Sequence, residues 1–187
     1  MLLLLLTVWV TNMASVIRGS GTSEIGGDLE VEGKIVTSGR PYFRARLGAD
    51  FSITPLNSEV TLPINTITVN DGSHFSVSDY KFTAPVDGLY FFRSSMRLDS
   101  LQEEAQYYRF GISTDTTGPE AASVTKIYDY DGFDKTSIYW AASITRVMKL
   151  NAGDKVWATV RQAGGTAGHA HVDDGNDYTE FLGYLIG

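Results

Sequence analysis

Tyr80-Lys81-Phe82-Thr83-Ala84-Pro85-Val86-Asp87-Gly88-Leu89-Tyr90-Phe91-Phe92 is two aromatic-rich runs separated by a turn signal. Pro85 fixes its own φ and Gly88 tolerates unusual backbone angles, so an extended chain can reverse sharply between them. Beyond the turn, side chains of a strand point alternately to two faces. Tyr90, Phe92, Met96 and Leu98 then share one face, and Leu89 and Phe91 share the other. A strand that is apolar on both faces has two surfaces to bury. The core of its own domain covers one, and a second chain is the natural cover for the other.

The segments on either side repeat the β signal. Strands are predicted at 42–47, 63–69, 75–82, 89–98, 107–113, 124–130, 137–150, 155–162 and 179–186. Turns separate them, among them Asn70-Asp71-Gly72 and Asn151-Ala152-Gly153-Asp154. No segment carries a convincing helical period, although 101–106 has room for one turn. About ten short strands of this kind predict an all-β sandwich or jelly roll. No internal repeat marks a solenoid or propeller.

Composition agrees. The 187 residues include ten Tyr, nine Phe and nineteen Gly, a mixture suited to strands and turns. The formal net charge of −7 works against a phosphate backbone, so nucleic acid is not an expected partner. The absence of cysteine excludes disulfides, thiolate metal sites and a cysteine nucleophile.

The front of the chain reads differently. Residues 1–22 are an apolar segment followed by a Gly/Ser/Thr-rich linker. The opening run MLLLLLTVWV is about ten residues long, against about 20 needed to cross a bilayer, so no stable membrane span is expected. Three readings stay open: the core of a signal peptide, an apolar peg for a partner, or an extension upstream of a start at Met13. In 23–41, Leu29, Val31 and Ile35 alternate with Asp28, Glu30, Glu32 and Lys34. One such strand cannot bury its apolar face alone, and three copies around an axis can. The segment resembles the repeats of phage tail-fibre stalks. Residues 42–187 form the head.

Three stretches of the head, taken in order, resemble the globular head of complement component 1q, which shares its jelly roll with tumour necrosis factor. They are 80–92, then Val147 to Val156 through Ala152-Gly153-Asp154, and last Thr179-Glu180-Phe181-Leu182-Gly183-Tyr184-Leu185-Ile186. The resemblance implies a homotrimer with aromatic residues near the threefold axis. Tyr90, Phe92, Trp140, Trp157 and Tyr184 are the candidates for that interface. No collagen-type Gly-x-y run precedes the head in this sequence, and the stalk-like segment stands in that place.

Some members of the resembled family bind calcium near the trimer apex. Asp129, Asp131 and Asp134 alternate ahead of and around a glycine, as in the first half of a calcium loop, and Asp173, Asp174 and Asp177 form a second acidic loop. No glutamate stands at the twelfth position of the first, so it is no EF-hand. His169 and His171 project to one face of an extended segment, a spacing that lets imidazoles from several chains share a transition metal. Solvated loop acids and a flexible glycine-rich loop are the plainer readings of the same residues.

No nucleophile elbow, phosphate loop or His-Glu-x-x-His motif is present, so an enzyme is not expected and no cofactor beyond possible calcium is implied. The expected function is a trimeric virion appendage, a tail or capsid fibre. Its N-terminus would dock on a capsid or tail protein, and its head would bind host-surface glycan or protein. Loops 114–123, 128–136 and 164–177 offer the contact surface. The alternatives are a capsid decoration protein and a secreted lectin-like module.

Overall fold

A computed structural model describes residues 40–102, 104–116, 124–129, 139–168, 170–175 and 178–187, with 124–129 given as backbone. The chain divides into two compact units, and all of these residues lie in the second, Thr37–Gly187. The proposed anchor at 1–22 and nearly all of the stalk at 23–41 fall outside the described residues.

Thirteen strands run through the described residues: β1 Tyr42–Leu47, β2 Phe51–Ser52, β3 Val60–Thr61, β4 Ile64–Asp71, β5 Phe75–Ser76, β6 Lys81–Thr83, β7 Gly88–Asp99, β8 Ala105–Thr114, β9 Val124–Asp129, β10 Tyr139–Leu150, β11 Lys155–Gly164, β12 His171–Val172 and β13 Glu180–Leu185. They form two antiparallel sheets. In the first, β7 is flanked by β10 on one side and by β13 and β12 on the other, with β1, β2 and β4 beyond. In the second, the order is β5-β6-β11-β8-β9, and β3 also pairs with β11. No α-helix occurs among the described residues, and none there is long and apolar enough to cross a membrane.

The alternation predicted from sequence produces the core. Phe43, Ala45 and Leu47 of β1, Phe181 of β13, and Tyr90, Phe92, Met96 and Leu98 of β7 point inward from the first sheet. Tyr108, Phe110 and Ile112 of β8 and Val156, Ala158 and Val160 of β11 meet them from the second. Aromatic rings bridge the layers. Phe43 stacks on Phe75 at 4.8 Å and on Phe82 at 5.1 Å, and Phe82 meets Phe92 edge-on at 5.5 Å. Such pairs add about 0.5–1.5 kcal/mol beyond burial alone.

The three stretches singled out in the sequence converge. The turn at 84–88 docks on the turn at 151–154: Ala84 N–H donates to Asp154 O at 2.9 Å, and Gly153 N–H donates to Ala84 O at 2.8 Å. The Asp87 carboxylate accepts from Ala152 N–H at 2.7 Å. The chain end closes on the same place, with Leu89 N–H donating to Gly187 O and Ile186 N–H to Leu89 O, both at 2.7 Å. Tyr90 fastens the turn from below, its hydroxyl donating to Val86 O at 2.8 Å.

Two expectations are corrected. The single strand expected over 75–82 is two, β5 and β6, because the chain turns between them and Tyr80 takes a positive φ of 60°. The described residues of 101–106 form no helical turn. Ala105 and Gln106 already belong to β8, paired with β11 across Gly164.

Candidate functional site

The outward face of the first sheet carries three bands. At one end, Val147, Phe91, Tyr184 and Tyr42 are direct cross-strand partners over β10, β7, β13 and β1. The rings of Phe91 and Tyr184 touch, with centroids 5.2 Å apart. Leu89 and Ile186 extend the row. Val147 is 50% exposed, Leu89 41%, Tyr184 40% and Ile186 39%, so the single chain leaves this band in water. Contiguous apolar surface of this kind marks an interaction site.

The middle band is ionic. Glu180 is 6% exposed and receives Arg44 Nε at 2.9 Å, while Arg93 lies 3.5 Å away on the other side. One carboxylate therefore links β1, β13 and β7 across the sheet face.

The third band holds Arg97. Its guanidinium donates to the Asp173 carboxylate through Nε at 2.8 Å and also through a terminal nitrogen. It lies against the rings of Tyr178, at 3.7 Å, and Tyr139, at 4.8 Å. The second Asp173 oxygen accepts from Gly175 N–H at 2.6 Å. Asp50 joins this end from the β1–β2 connection, accepting from Asp174 N–H at 3.0 Å. Carboxylate oxygens of Asp50, Asp173 and Asp174 lie within 4.8 Å of one another. Partial burial raises the Asp174 carboxyl above its ordinary value, and the hydrogen bond and charge of Asp50 raise it further.

These placements sort the residues proposed from sequence. Tyr90 and Phe92 are corrected: both are fully buried inside the sandwich, so they are core residues and no partner chain can reach them. Their strand does have a second apolar face, and it consists of Leu89 and Phe91. Tyr184 lies on that face. Trp140, at the start of β10, is partly buried against the core. Trp157 lies on the far side of the molecule, on the outward face of β11, with the Lys81 ammonium 3.8 Å from its ring centroid.

Asp173 and Asp174 come together as proposed, and Asp50 is the neighbour that loop spacing did not reveal. Both Asp173 oxygens already have donors, Arg97 on one and Gly175 on the other, so the Arg97 cation does much of what a metal would do there. Asp129 ends β9, while Asp131, Asp134, Asp177 and His169 lie outside the described residues. His171 has both ring nitrogens near protein oxygens, Gly168 O at 3.2 Å and Asp99 at 3.7 Å.

Two antiparallel sheets and a ring-filled core define a jelly-roll sandwich, here with an uncovered apolar band on one face. The family model for the C1q domain matches residues 43–186, and the chain belongs to that family. It is 29% identical over 144 residues to complement C1q tumor necrosis factor-related protein 3 of Mus musculus, and equally to that of Homo sapiens. The match covers 77% of this chain and 50% of either relative, so the chain spans about half the length of the curated relatives it matches. The solved globular domain of zebrafish complement 1qA protein aligns with a TM-score of 0.53 over 79% of this chain and 98% of that one. At 21% identity, that likeness is one of fold.

Proposed function

We propose that this chain is a non-enzymatic binding head that works as a homotrimer outside the cell. The observation that carries the reading is the uncovered band of Leu89, Phe91, Val147, Tyr184 and Ile186 on the first sheet. A second and third copy would cover it, and the ionic band of Glu180, Arg44 and Arg93 beside it would set their orientation. Three joined heads turn individually weak contacts into avid binding. Sedimentation tests this directly. The full chain is expected at three times 20.5 kDa, and Tyr184→Asp is expected to release single chains with an unchanged far-ultraviolet spectrum. A wild-type chain that sediments singly at tens of micromolar would overturn the reading.

The stalk-like pattern of 23–41 supports placing such a head on a virion appendage, joined through its N-terminus to a capsid or tail protein, with host-surface glycan or protein as ligand. The relatives in mouse and human support the secreted alternative. N-terminal sequencing of the mature chain separates the two. A chain that has lost the run at 1–10 was secreted, and a chain that keeps it was not processed as a signal.

A further inference from the structure

A cavity of about 330 Å³ opens on the outward face of the second sheet, lined by Glu59, Thr61, Ser113, Thr114, Trp157 and Thr159. The sheet register builds it. Trp157 and Thr159 of β11 face Ser113 and Gly111 of β8, and Thr159 faces Thr61 of β3 on its other side. Gly111 contributes no side chain, so the face is hollow beside Thr159. The short β3 brings Glu59 to the rim.

The Glu59 carboxylate is held in place. One oxygen accepts from Thr159 Oγ1 at 2.6 Å and Ser113 Oγ at 3.2 Å, and the other accepts from Arg109 at 2.8 Å. Arg109 compensates its charge. The Thr61 hydroxyl has no partner among the described residues. The nearby cations are engaged as well: Lys81 lies over the Trp157 ring and Lys155 pairs with Asp79 at 2.9 Å.

A hollow of this make-up selects its ligand by exclusion. A cation gains little from a carboxylate that already has a guanidinium, and an anion meets that carboxylate head-on. A neutral molecule with many hydroxyls can share the Glu59, Ser113, Thr159 and Thr61 hydrogen-bonding groups while resting C–H bonds against the part of the Trp157 side chain that lines the hollow, the ring face under Lys81 being taken. The volume, at the small end of ligand pockets, suits one sugar ring. We infer that this cavity is a binding site for a single neutral saccharide unit. The inference rests on the binding-head reading and deepens it. The cavity faces away from the apolar band, so a trimer joined through the first sheet would display three copies.

The test uses the full chain and a panel of neutral methyl glycosides in gluco, manno, galacto and N-acetylglucosamine forms, with N-acetylneuraminic acid as the anionic probe. Saturation-transfer NMR is expected to show contact with at least one neutral glycoside and little with the acid. Titration is expected to give millimolar affinity, weakened about tenfold or more by Trp157→Ala and by Glu59→Gln. Ser113→Ala serves if either variant misfolds. Tyr184→Asp, on the other sheet, is expected to bind each glycoside as well as wild type while sedimenting as single chains. Transfer that survives all cavity substitutions, or no transfer from any neutral glycoside, overturns the cavity site. A wild-type chain that binds a neutral glycoside yet sediments singly overturns the assembly reading instead.

Discussion

A Cβ built on Gly183 would stand 2.8 Å from Phe43 and closer still to Phe92, nearer than side chains approach in folded proteins. Gly183 lies on β13 directly across from Phe43 and Phe92, between two rings that are fully buried. Neither ring has free volume to move into, because each is packed against Phe181 and Phe82. Gly183→Ala is therefore expected to cost about 1–3 kcal/mol by overpacking, seen as a lower denaturant midpoint with unchanged slope. A midpoint within experimental error of wild type would mean that the rings yield freely. The sequence showed this glycine in an aromatic-x-Gly-x-Leu pattern and showed the parity of Tyr90 and Phe92. Parity says which residues share a face and leaves open which face is inward. On a strand apolar on both sides, only the partner sheet decides, and it decided for Tyr90 and Phe92.

At the scale of strands and turns, the long elements were readable and the short ones were not. β1 has the bounds its alternation predicted, β10 ends where it was predicted to, and β7, β8 and β11 differ from their predicted spans by one or two residues at an end. β2, β3 and β12 are two residues each, shorter than one period of the pattern that reveals a strand. Site residues sit directly ahead of two of these short strands: β3 follows Glu59, and β2 follows Asp50. The meeting of Asp50 with Asp174 joins the β1–β2 and β12–β13 connections, which are far apart in sequence, and it leaves a titration signature. The folded chain holds a proton on Asp174 more tightly than an unfolded chain with the ordinary value of 3.8. Stability from this group is therefore complete below that value and is lost as pH rises through the higher folded pKa. Asp174→Asn cannot ionise and keeps the backbone N–H that Asp50 accepts from. The variant is expected to melt higher than wild type near pH 7, with the gap closing below about pH 4. Melting curves of the pair across that range check it, and a gap that is constant with pH would show that Asp50 and Asp174 do not repel.

For the whole molecule, the uncovered band makes stability depend on concentration. If folded chains exist as trimers and unfold to single chains, each tenfold rise in chain concentration favours the folded side by about 0.9 kcal/mol per chain. For a domain of this size that is about 2–4 °C in melting temperature per decade of concentration. A monomeric head has no such dependence. Val147→Glu isolates the effect because Val147 is half exposed and points away from the core. Within a single chain such a substitution falls among changes of about 0.5 kcal/mol or less. In the trimer it places a charge in the apolar band beside Phe91, its cross-strand partner. Wild type is therefore expected to melt progressively higher from micromolar to hundreds of micromolar chain, while Val147→Glu melts lower and at one temperature throughout. Parallel curves for the two proteins, each rising with concentration, would place the subunit contact elsewhere on the head. Two flat curves would mean that the apolar band serves some other partner, since a chain that does not self-associate still leaves Leu89, Val147, Tyr184 and Ile186 in water.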